Sequence, residues 1–325
     1  MISINIGEKR FRRVLRKTKG GEIMKIALTG GSGRVGEYLI DELKKYNYEV
    51  VVLDQKEPKR KDVIFVKGDM LKIDNCKNAF NGVDTIIHLA AIPHLFSDSP
   101  EKVFYINTIG TFSVFQAAAD LGIKRVIYGS SDSAYGFNWR NSFDDIPIPI
   151  YLPVDENHPQ EPKDAYGLSK KVGEEIAKTF NRKYGMTTIS LRISHVRVPE
   201  ENNEVGIEAY KKDIKGHGRM LPPRVYNKEG NITQIFCYND VRDAARAFRL
   251  AVEAKGLEGR YEAFNICADD NISKFNLMEF IKMLGWSEVP LKKEIKDRQS
   301  FFDWSKAKRL LGFQPLHNWY DLYIK

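Results

Sequence analysis

The side chains best suited to acid–base chemistry are Tyr166 and Lys170, which lie four residues apart in a segment with a helical pattern. At that spacing both side chains lie on one face of a helix. A phenol has a reference pKa of about 10 and is a weak base at neutral pH. An ammonium group beside it would stabilise the phenolate and lower that pKa, making the phenol a usable proton acceptor. The same spacing also occurs where a surface tyrosine packs on a lysine stem.

A run of small polar residues from Ser130 to Ser133 follows a strand pattern at Arg125–Gly129. Doubly wound sheets bind their ligands at the carboxyl ends of the strands. A hydroxyl in this run is therefore expected to meet a substrate oxygen, which favours an active site over a surface Tyr–Lys contact.

A glycine-rich turn joins a strand pattern at Lys25–Thr29 to a helical pattern at Arg34–Tyr46. Its glycines, Gly30, Gly31, Gly33 and Gly36, fit both GxGxxG and GxxGxxG. Such glycines permit a tight turn and close approach of a pyrophosphate, and the helix N-terminus offers unpaired N–H groups to the phosphates. The alternative is an ordinary strand-to-helix turn.

Asp54 follows Gly36 by 18 residues and ends the second strand pattern. A carboxylate there accepts hydrogen bonds from the adenosine ribose hydroxyls and repels a 2′-phosphate, so the sequence predicts NAD rather than NADP. Arg34, Lys56 and Lys59 lie nearby and would weaken that preference. A solvated aspartate at a strand end is the alternative.

The elements that must position these residues alternate between strand and helix, which predicts a parallel sheet covered on both faces. The further strand patterns are Glu49–Leu53, Val63–Val66, Thr85–Leu89 and Thr187–Ile193. The further helical patterns are Glu101–Leu121, Asp164–Tyr184, Val241–Ala254, Phe275–Leu284 and Ser305–Leu311, with one more strand pattern at Tyr261–Cys267. The predicted fold class is α/β: a Rossmann-type doubly wound parallel sheet with a smaller C-terminal α/β substrate-binding region.

We expect residues 24–198 to form the NAD-binding Rossmann domain with the catalytic residues. Residues 199–325 are expected to form mainly the substrate-binding region, interleaved with the Rossmann sheet. The composition of the 325 residues, 42% hydrophobic and 29% charged, is that of a globular protein with a substantial core. No apolar run reaches the roughly 18 residues of a membrane span, and the three well-separated cysteines exclude a disulfide scaffold and a cysteine zinc site. We therefore expect a cytoplasmic protein without a metal.

A basic leader carries most of the net charge of +8. Residues 1–23 hold seven Lys and Arg against two Glu, so +5 lies there and +3 in the rest. A nucleic-acid partner would thus rest on a tail, and none is expected. Lys19–Ile23 can be encoded by a purine-rich ribosome-binding sequence, which suggests that the native protein begins at Met24. Intact-mass measurement would test that hypothesis, against the alternatives of a basic arm or a targeting peptide.

Taken together, these motifs resemble those of extended short-chain dehydrogenases/reductases in the NAD-dependent epimerase/dehydratase family. The resemblance runs from Met24 to about Leu322, and the glycine turn, the Ser/Thr-x(3)-Tyr-Gly motif and YxxxK carry it. It implies that Tyr166 is the acid/base, that Lys170 orients the nicotinamide ribose, and that Ser131 binds the reacting hydroxyl. The cofactor contacts it implies are Gly30, Gly33, Arg34, Val35, Gly36, Asp54, Asp69, Met70, Leu89, Ala90, Ala91, Asn107, Tyr166 and Lys170. For Asn107 the alternative is a buried helix asparagine satisfied by its own backbone. The family also implies a homodimer, with the Glu101–Leu121 and Asp164–Tyr184 helices paired across the interface.

Two departures from the family pattern bear on the substrate. His195 stands where nucleotide-sugar enzymes usually carry an asparagine, and Phe236 where they tend to carry an arginine. His195 and Asp132 are substrate-binding candidates, Arg197, Arg219 or Arg224 would replace the lost phosphate contacts, and a buried structural histidine is the alternative for His195. The active-site motif continues Asp132-Ser133 instead of Asp-Glu, which disfavours dehydration.

The resemblance therefore implies an NAD-dependent oxidoreductase or epimerase acting on a sugar carbinol by reversible hydride transfer. A nucleotide-sugar epimerase of the UDP-glucose 4-epimerase kind is favoured. The alternative is a dehydrogenase of a free sugar or uronate that releases NADH, since the segment after Ser130 is loosely similar to uronate dehydrogenases. A non-catalytic NAD-binding protein is a third alternative, but such proteins typically lack the Tyr or the Lys.

Overall fold

The computed structural model describes residues 23–94, 97–137, 147–199, 237–271, 276–283 and 285–318. The basic leader up to residue 22, the predicted contacts of Arg219 and Arg224, and the interpretation of Phe236 lie outside the described residues. The division of the chain at residues 198 and 199 stays a prediction, because residues 200–236, which follow it almost directly, lie outside the described residues as well.

Within these ranges the main sheet has seven parallel strands: β1 (Lys25–Thr29), β2 (Glu49–Asp54), β3 (Ile64–Lys67), β4 (Thr85–His88), β5 (Arg125–Ser131), β6 (Thr187–Ile193) and β9 (Tyr261–Ile266). Their order across the sheet is β3-β2-β1-β4-β5-β6-β9. A second pair joins β7 (His195–Arg197) to β8 (Tyr238–Asp240). The doubly wound parallel sheet predicted from the sequence is confirmed.

Helices cover both faces of this sheet. The described α-helices are α1 (Arg34–Lys45), α2 (Ile73–Phe80), α3 (Pro100–Asp120), α4 (Ala165–Tyr184), α5 (Val241–Glu253), α6 (Leu277–Met283) and α7 (Ser305–Leu311), of which α6 packs in a third apolar cluster. One apolar cluster packs α1 and α5 on one face, and a second packs α2, α3 and α4 on the other. Both clusters exclude water from the central strands, which read as continuous apolar runs for that reason. No helix in the described parts of the chain is long and apolar enough to cross a membrane.

The strand order reverses between β1 and β4, and this reversal places a crevice at the carboxyl ends of the strands. Most predicted elements match the structure to within two residues at each end. One difference concerns the site: β5 continues through Ser131, so the serines belong to the end of the strand, and a 3₁₀ turn over Asp132–Tyr135 follows. The short strands β7 and β8 and helix α2 were not predicted individually.

Candidate active site

The glycine turn between β1 and α1 is closed by contacts that leave no room for a side chain at Gly30 or Gly36. Gly30 has a φ of 73°, and a Cβ there would lie 2.6 Å from the Ala90 nitrogen. A Cβ on Gly36 would meet the carbonyl oxygens of Gly30 and Gly31, the latter at 2.6 Å. Two of the predicted glycines are therefore required by the packing of the turn itself.

Gly33 has a different environment from Gly30 and Gly36. It is exposed, and it is the N-cap of α1 without any side-chain hydrogen bond to the first turn. A Cβ there would approach only the Gly30 carbonyl oxygen, at 3.2 Å. Gly33 thus offers no side chain to the first turn, which begins with Arg34, Val35 and Gly36, and this arrangement fits a pyrophosphate group.

Asp54 lies beside this turn at the end of β2. Its carboxylate accepts hydrogen bonds from the backbone nitrogens of Ser32 at 3.0 Å and Lys56 at 3.2 Å. A carboxylate has further lone pairs, so the two bonds leave capacity for ribose hydroxyls. The arrangement fits an adenosine ribose, and the contact itself stays a prediction.

We expect Asp54→Asn to weaken NAD binding about tenfold and to narrow its advantage over NADP. The substitution keeps the size of the side chain but removes the charge that strengthens bonds to ribose hydroxyls, a contribution of about 1.5–3 kcal/mol. It also removes the repulsion of a 2′-phosphate. Fluorescence titration with NADH and NADPH measures both dissociation constants. Asp84→Asn is a matched control, because Asp84 accepts a hydrogen bond from the Lys25 backbone nitrogen at the amino ends of the strands. An unchanged ratio of the NADH and NADPH dissociation constants would exclude Asp54 from the ribose site.

The segment after β4 packs directly against the glycine turn. The Ala90 nitrogen donates to Thr29 Oγ1 at 3.2 Å, and the Leu89 nitrogen donates to the Thr29 carbonyl at 3.1 Å. Leu89 also contacts Gly129 of β5 through its side chain, since a Cβ on Gly129 would lie 2.9 Å from Leu89 Cδ2. Leu89, Ala90 and the following Ala91 therefore lie between the turn and the strand that carries Ser131, where the resemblance places the cofactor.

Asn107 of α3 is buried and makes three hydrogen bonds. Its side chain pairs with both backbone groups of Ile92, at 2.7 and 3.1 Å, and donates to Ser169 Oγ at 3.1 Å. The bonds join the segment after β4 to α4, the helix that carries Tyr166 and Lys170. The alternative of an asparagine satisfied by its own backbone is therefore wrong, because the backbone groups belong to a distant segment, and a contact of Asn107 with the cofactor stays a prediction.

Asp69 and Met70 follow β3 at the same edge of the sheet. Asp69 Oδ1 accepts from the Leu71 nitrogen at 3.0 Å, and this turn leads into α2. The Met70 side chain packs against Gly110 of α3. Asp69 and Met70 therefore lie along the crevice wall, and their predicted contact with adenine stays a prediction.

Tyr166 and Lys170 lie on the first turns of α4, as predicted from their spacing. Lys170 is buried, its Nζ donates to the Gly129 carbonyl at 2.7 Å, and it lies 5.6 Å from the centre of the Tyr166 ring. Burial lowers the pKa of Lys170 to about 8. The lysine is therefore mostly cationic at neutral pH.

The predicted pKa of Tyr166 is wrong in direction. Burial raises the pKa of the phenol above its ordinary value, and the carboxylates of Asp132 and Asp164 raise it further, whereas Ser131 opposes the rise. Desolvation thus outweighs the stabilisation expected from Lys170. The phenol is therefore protonated in this structure, and it must lose that proton before it can act as a base.

Ser131 and Asp132 complete the group at the end of β5. Ser131 Oγ caps the 3₁₀ turn by accepting from the Ser133 nitrogen at 3.1 Å, and it contacts Asp132 Oδ1 at 3.2 Å. Ser131 also makes a hydrogen bond with the Tyr166 phenol, which lowers the pKa of that phenol, so its hydroxyl lies between the end of β5 and α4. A substrate hydroxyl bound to both Ser131 Oγ and the Tyr166 phenol oxygen would have one hydrogen-bond donor and one acceptor.

His195 begins β7 and is partly buried. Its pKa lies well below the ordinary value, because burial and the nearby charges of Arg197 and Arg34 disfavour the imidazolium. A neutral imidazole can donate one hydrogen bond and accept another. The effect of Arg34 places His195 near the glycine turn, so it borders the crevice, and its contact with substrate stays a prediction.

His88 is a polar residue near the site that the sequence pattern did not lead us to predict. His88 ends β4 and is buried, and its ring nitrogens contact Thr29 Oγ1 at 2.7 Å and Thr111 Oγ1 at 3.0 Å. Burial, with a smaller contribution from Lys170, lowers its pKa to about 3, so the ring stays neutral. A lone histidine in an otherwise apolar strand pattern is a signal that could have identified it. Among the described residues, no cluster of three or more His, Cys, Asp or Glu side chains could hold a metal ion.

Comparisons with known proteins identify similar chains. The model of the NAD dependent epimerase/dehydratase family matches residues 26–267. A protein of Methanocaldococcus jannaschii, provisionally named UDP-glucose 4-epimerase, is 32% identical over 308 residues, which cover 89% of this chain and 93% of that protein. The uronate dehydrogenase of Pseudomonas syringae pv. tomato is 31% identical over 220 residues, covering 66% of this chain and 74% of that enzyme.

Among solved structures, a short-chain dehydrogenase/reductase superfamily protein from Agrobacterium tumefaciens with bound NAD has a similar fold. It superposes with a TM-score of 0.67 at 22% identity, covering 90% of this chain and 93% of that one. At that identity the likeness supports the fold alone.

Proposed function

The chain belongs to the NAD dependent epimerase/dehydratase family, and on that premise we propose that it is a nucleotide-sugar epimerase of the UDP-glucose 4-epimerase kind. The observation that carries the proposal is the position of the Tyr166 phenol. It lies with Ser131 and Lys170 at the carboxyl end of β5. The M. jannaschii relative matches along nearly its whole length and supports the same reading.

The amides after Gly33 and the Asp54 carboxylate would hold the dinucleotide. Bound NAD supplies the acceptor for the hydrogen that leaves the sugar carbon, and it is the family's cofactor. Ser131 Oγ would orient the sugar hydroxyl toward the phenol. In its phenolate form, which the Lys170 ammonium would stabilise, Tyr166 Oη would then remove the hydroxyl proton, and as a phenol it would return that proton in the second half of the reaction.

The second candidate function is a dehydrogenase of a free sugar or uronate that releases NADH. Its support is His195, which replaces an asparagine usual in nucleotide-sugar enzymes, and the similarity to a uronate dehydrogenase. Tyr166, Lys170 and Ser131 would act identically in both reactions. The two functions differ in what binds beyond the reacting sugar and in the fate of the reduced cofactor.

Incubation of the purified protein with NAD and a panel of UDP-sugars, free sugars and uronates tests both candidates. The proposal expects interconversion of a UDP-sugar and its 4-epimer without accumulation of NADH. Stoichiometric NADH formation with a free sugar or uronate would replace the proposal by the second candidate. Tyr166→Phe protein run in parallel identifies contaminating activity.

We also propose that the protein is a homodimer that pairs α3 and α4 with the same helices of a second copy. Three large apolar side chains of α3 are exposed at helical spacing: Tyr105 at 57%, Ile109 at 41% and Phe112 at 45%. Leu168 of α4 adds a fourth at 42%, and the two helices pack together through Phe112 and Phe180. A contiguous apolar surface of this kind is typical of an interface between subunits.

Ile109→Glu is expected to weaken the dimer more than about tenfold, because a two-fold interface repeats the substitution and brings the two carboxylates into one apolar contact. Sedimentation analysis across a concentration series measures the association. Ile64→Glu is the matched control, since Ile64 is similarly exposed, at 44%, on the edge strand β3. A monomeric wild type, or equal dimerisation of both variants, would exclude this interface.

A further inference from the structure

The Glu174 carboxylate, fully buried in α4, accepts hydrogen bonds from four side chains. Arg192 donates to both oxygens, from Nε at 2.9 Å and from Nη2 at 2.8 Å. Ser130 Oγ donates at 2.6 Å, Gln160 at 3.0 Å and Tyr261 at 3.1 Å. The donors come from β5, the segment before α4, β6 and β9, so one carboxylate joins the catalytic helix to three strands of the sheet.

The Glu174–Arg192 pair is ionised despite its burial. Burial alone would raise the pKa of Glu174, but the Arg192 charge and the hydrogen bonds bring that pKa below its ordinary value. Arg192 is only 5% exposed, and its pKa lies above the ordinary value for the complementary reason. Replacing a buried pair by apolar residues is often neutral or stabilising, so stability alone does not account for this pair.

The pair is connected to the active-site residues on both sides. Glu174 follows Lys170 by one helical turn, and Ser130 immediately precedes Ser131 in β5. Arg192 Nη1 donates to the Tyr135 hydroxyl at 2.7 Å, at the end of the 3₁₀ turn that begins with Asp132. Ser130 and Tyr135, which lie on either side of Ser131 in the sequence, are therefore hydrogen-bonded to the same ion pair that includes Glu174 of α4.

We propose that Glu174 and Arg192 are positioning residues that set the distance between the Ser131 hydroxyl and the Tyr166 phenol. The proposal rests on the proposed function, because it assigns the pair a role in that site's chemistry. A misplacement of about 1 Å in a catalytic group can cost about 10²-fold in rate. Glu174 holds the strand end and the helix together without touching the substrate.

The primary test is Glu174→Gln in the NAD-loaded protein, which keeps the shape of the side chain and removes its charge. We expect kcat to fall on the order of 10²-fold, with KM and the NAD dissociation constant within about twofold of wild type. The acidic limb of the pH–kcat profile should move to higher pH, because the pKa of Tyr166 rises when the opposing contact with Ser131 is lost. Glu42→Gln is the matched control, since Glu42 pairs with the mostly buried Arg249 away from the site.

A second readout needs no substrate. In protein labelled at tyrosine ¹³Cζ, the Tyr166 signal is assigned by its absence in Tyr166→Phe, and Ser131→Ala gives the shift for loss of the serine contact. Glu174→Gln should move the Tyr166 signal toward the Ser131→Ala position, whereas Glu42→Gln should leave it in place. A Tyr166 signal and pH profile like those of wild type would overturn the proposal.

Ser130→Ala covers the case in which Glu174→Gln does not fold, because it removes one donor and leaves the ion pair intact. It should move the Tyr166 signal in the same direction by a smaller amount, and an unmoved signal would overturn the proposal. If wild type converts no sugar, the proposed function fails, and the ¹³C signal still decides whether Glu174 positions Ser131 against Tyr166.

Discussion

Replacing Tyr166 with Phe is expected to lower kcat by about 10³-fold, within the range that a positioned acid or base contributes. The phenol is the group placed between Ser131 and Lys170, and Phe keeps the ring while removing the proton carrier. The dissociation constant for NAD should change by less than about twofold, because the groups that fit the dinucleotide are the turn amides and Asp54. Steady-state kinetics with a substrate found in the panel, together with NADH titration, measures both quantities.

Tyr128→Phe is the control for this prediction. Tyr128 is a buried tyrosine in β5 whose ring is also close to Lys170, 5.3 Å from Nζ, but it lies within the sheet. Its loss should leave kcat within a few-fold of wild type. Equal losses in the two variants would mean that any hydroxyl near Lys170 matters, and they would remove Tyr166 from the acid–base role.

The second large effect is expected for Gly36→Ala. The added Cβ meets two backbone carbonyl oxygens, which cannot move aside as a flexible side chain would. Overpacking costs about 1–3 kcal/mol, and a clash with backbone should lie at the upper end of that range. We expect the midpoint of thermal unfolding without NAD to fall by about 5–10 °C, measured by calorimetry.

Gly33→Ala separates stability from binding in the same turn. Its Cβ would meet one backbone atom, the Gly30 carbonyl oxygen at 3.2 Å, which is a milder contact than those at Gly36, so the unfolding midpoint should fall less than in Gly36→Ala. The added methyl group would also stand where the pyrophosphate must approach the backbone. NAD affinity should therefore fall at least tenfold in a fully folded protein. Normal NAD binding by Gly33→Ala would contradict the assignment of this turn to the cofactor.

Much of the fold could be predicted because its signals are local. Each buried strand is a short apolar run, and the glycine turn with Asp54 lies within one strand–helix–strand unit. Tyr166 and Lys170 share a helix face through spacing alone. These features need no knowledge of distant contacts.

The remaining features depend on contacts between distant parts of the chain. Glu174 meets Ser130 across 44 residues and Tyr261 across 87, and no periodic pattern marks such partners. The pKa of Tyr166 was misjudged for a related reason. The spacing shows that Lys170 is near, but only the fold shows how completely the phenol is removed from water.

In the proposed reaction Tyr166 moves only the hydroxyl proton, whereas the hydrogen on the sugar carbon stays in the site. Running the reaction in D₂O with the nucleotide sugar that wild type converts, and examining the product by NMR, distinguishes this from removal of a proton from carbon. We expect no solvent deuterium at the inverted carbon. One deuterium incorporated there per turnover would mean that a base removes a proton from carbon, and it would exclude hydride transfer to NAD.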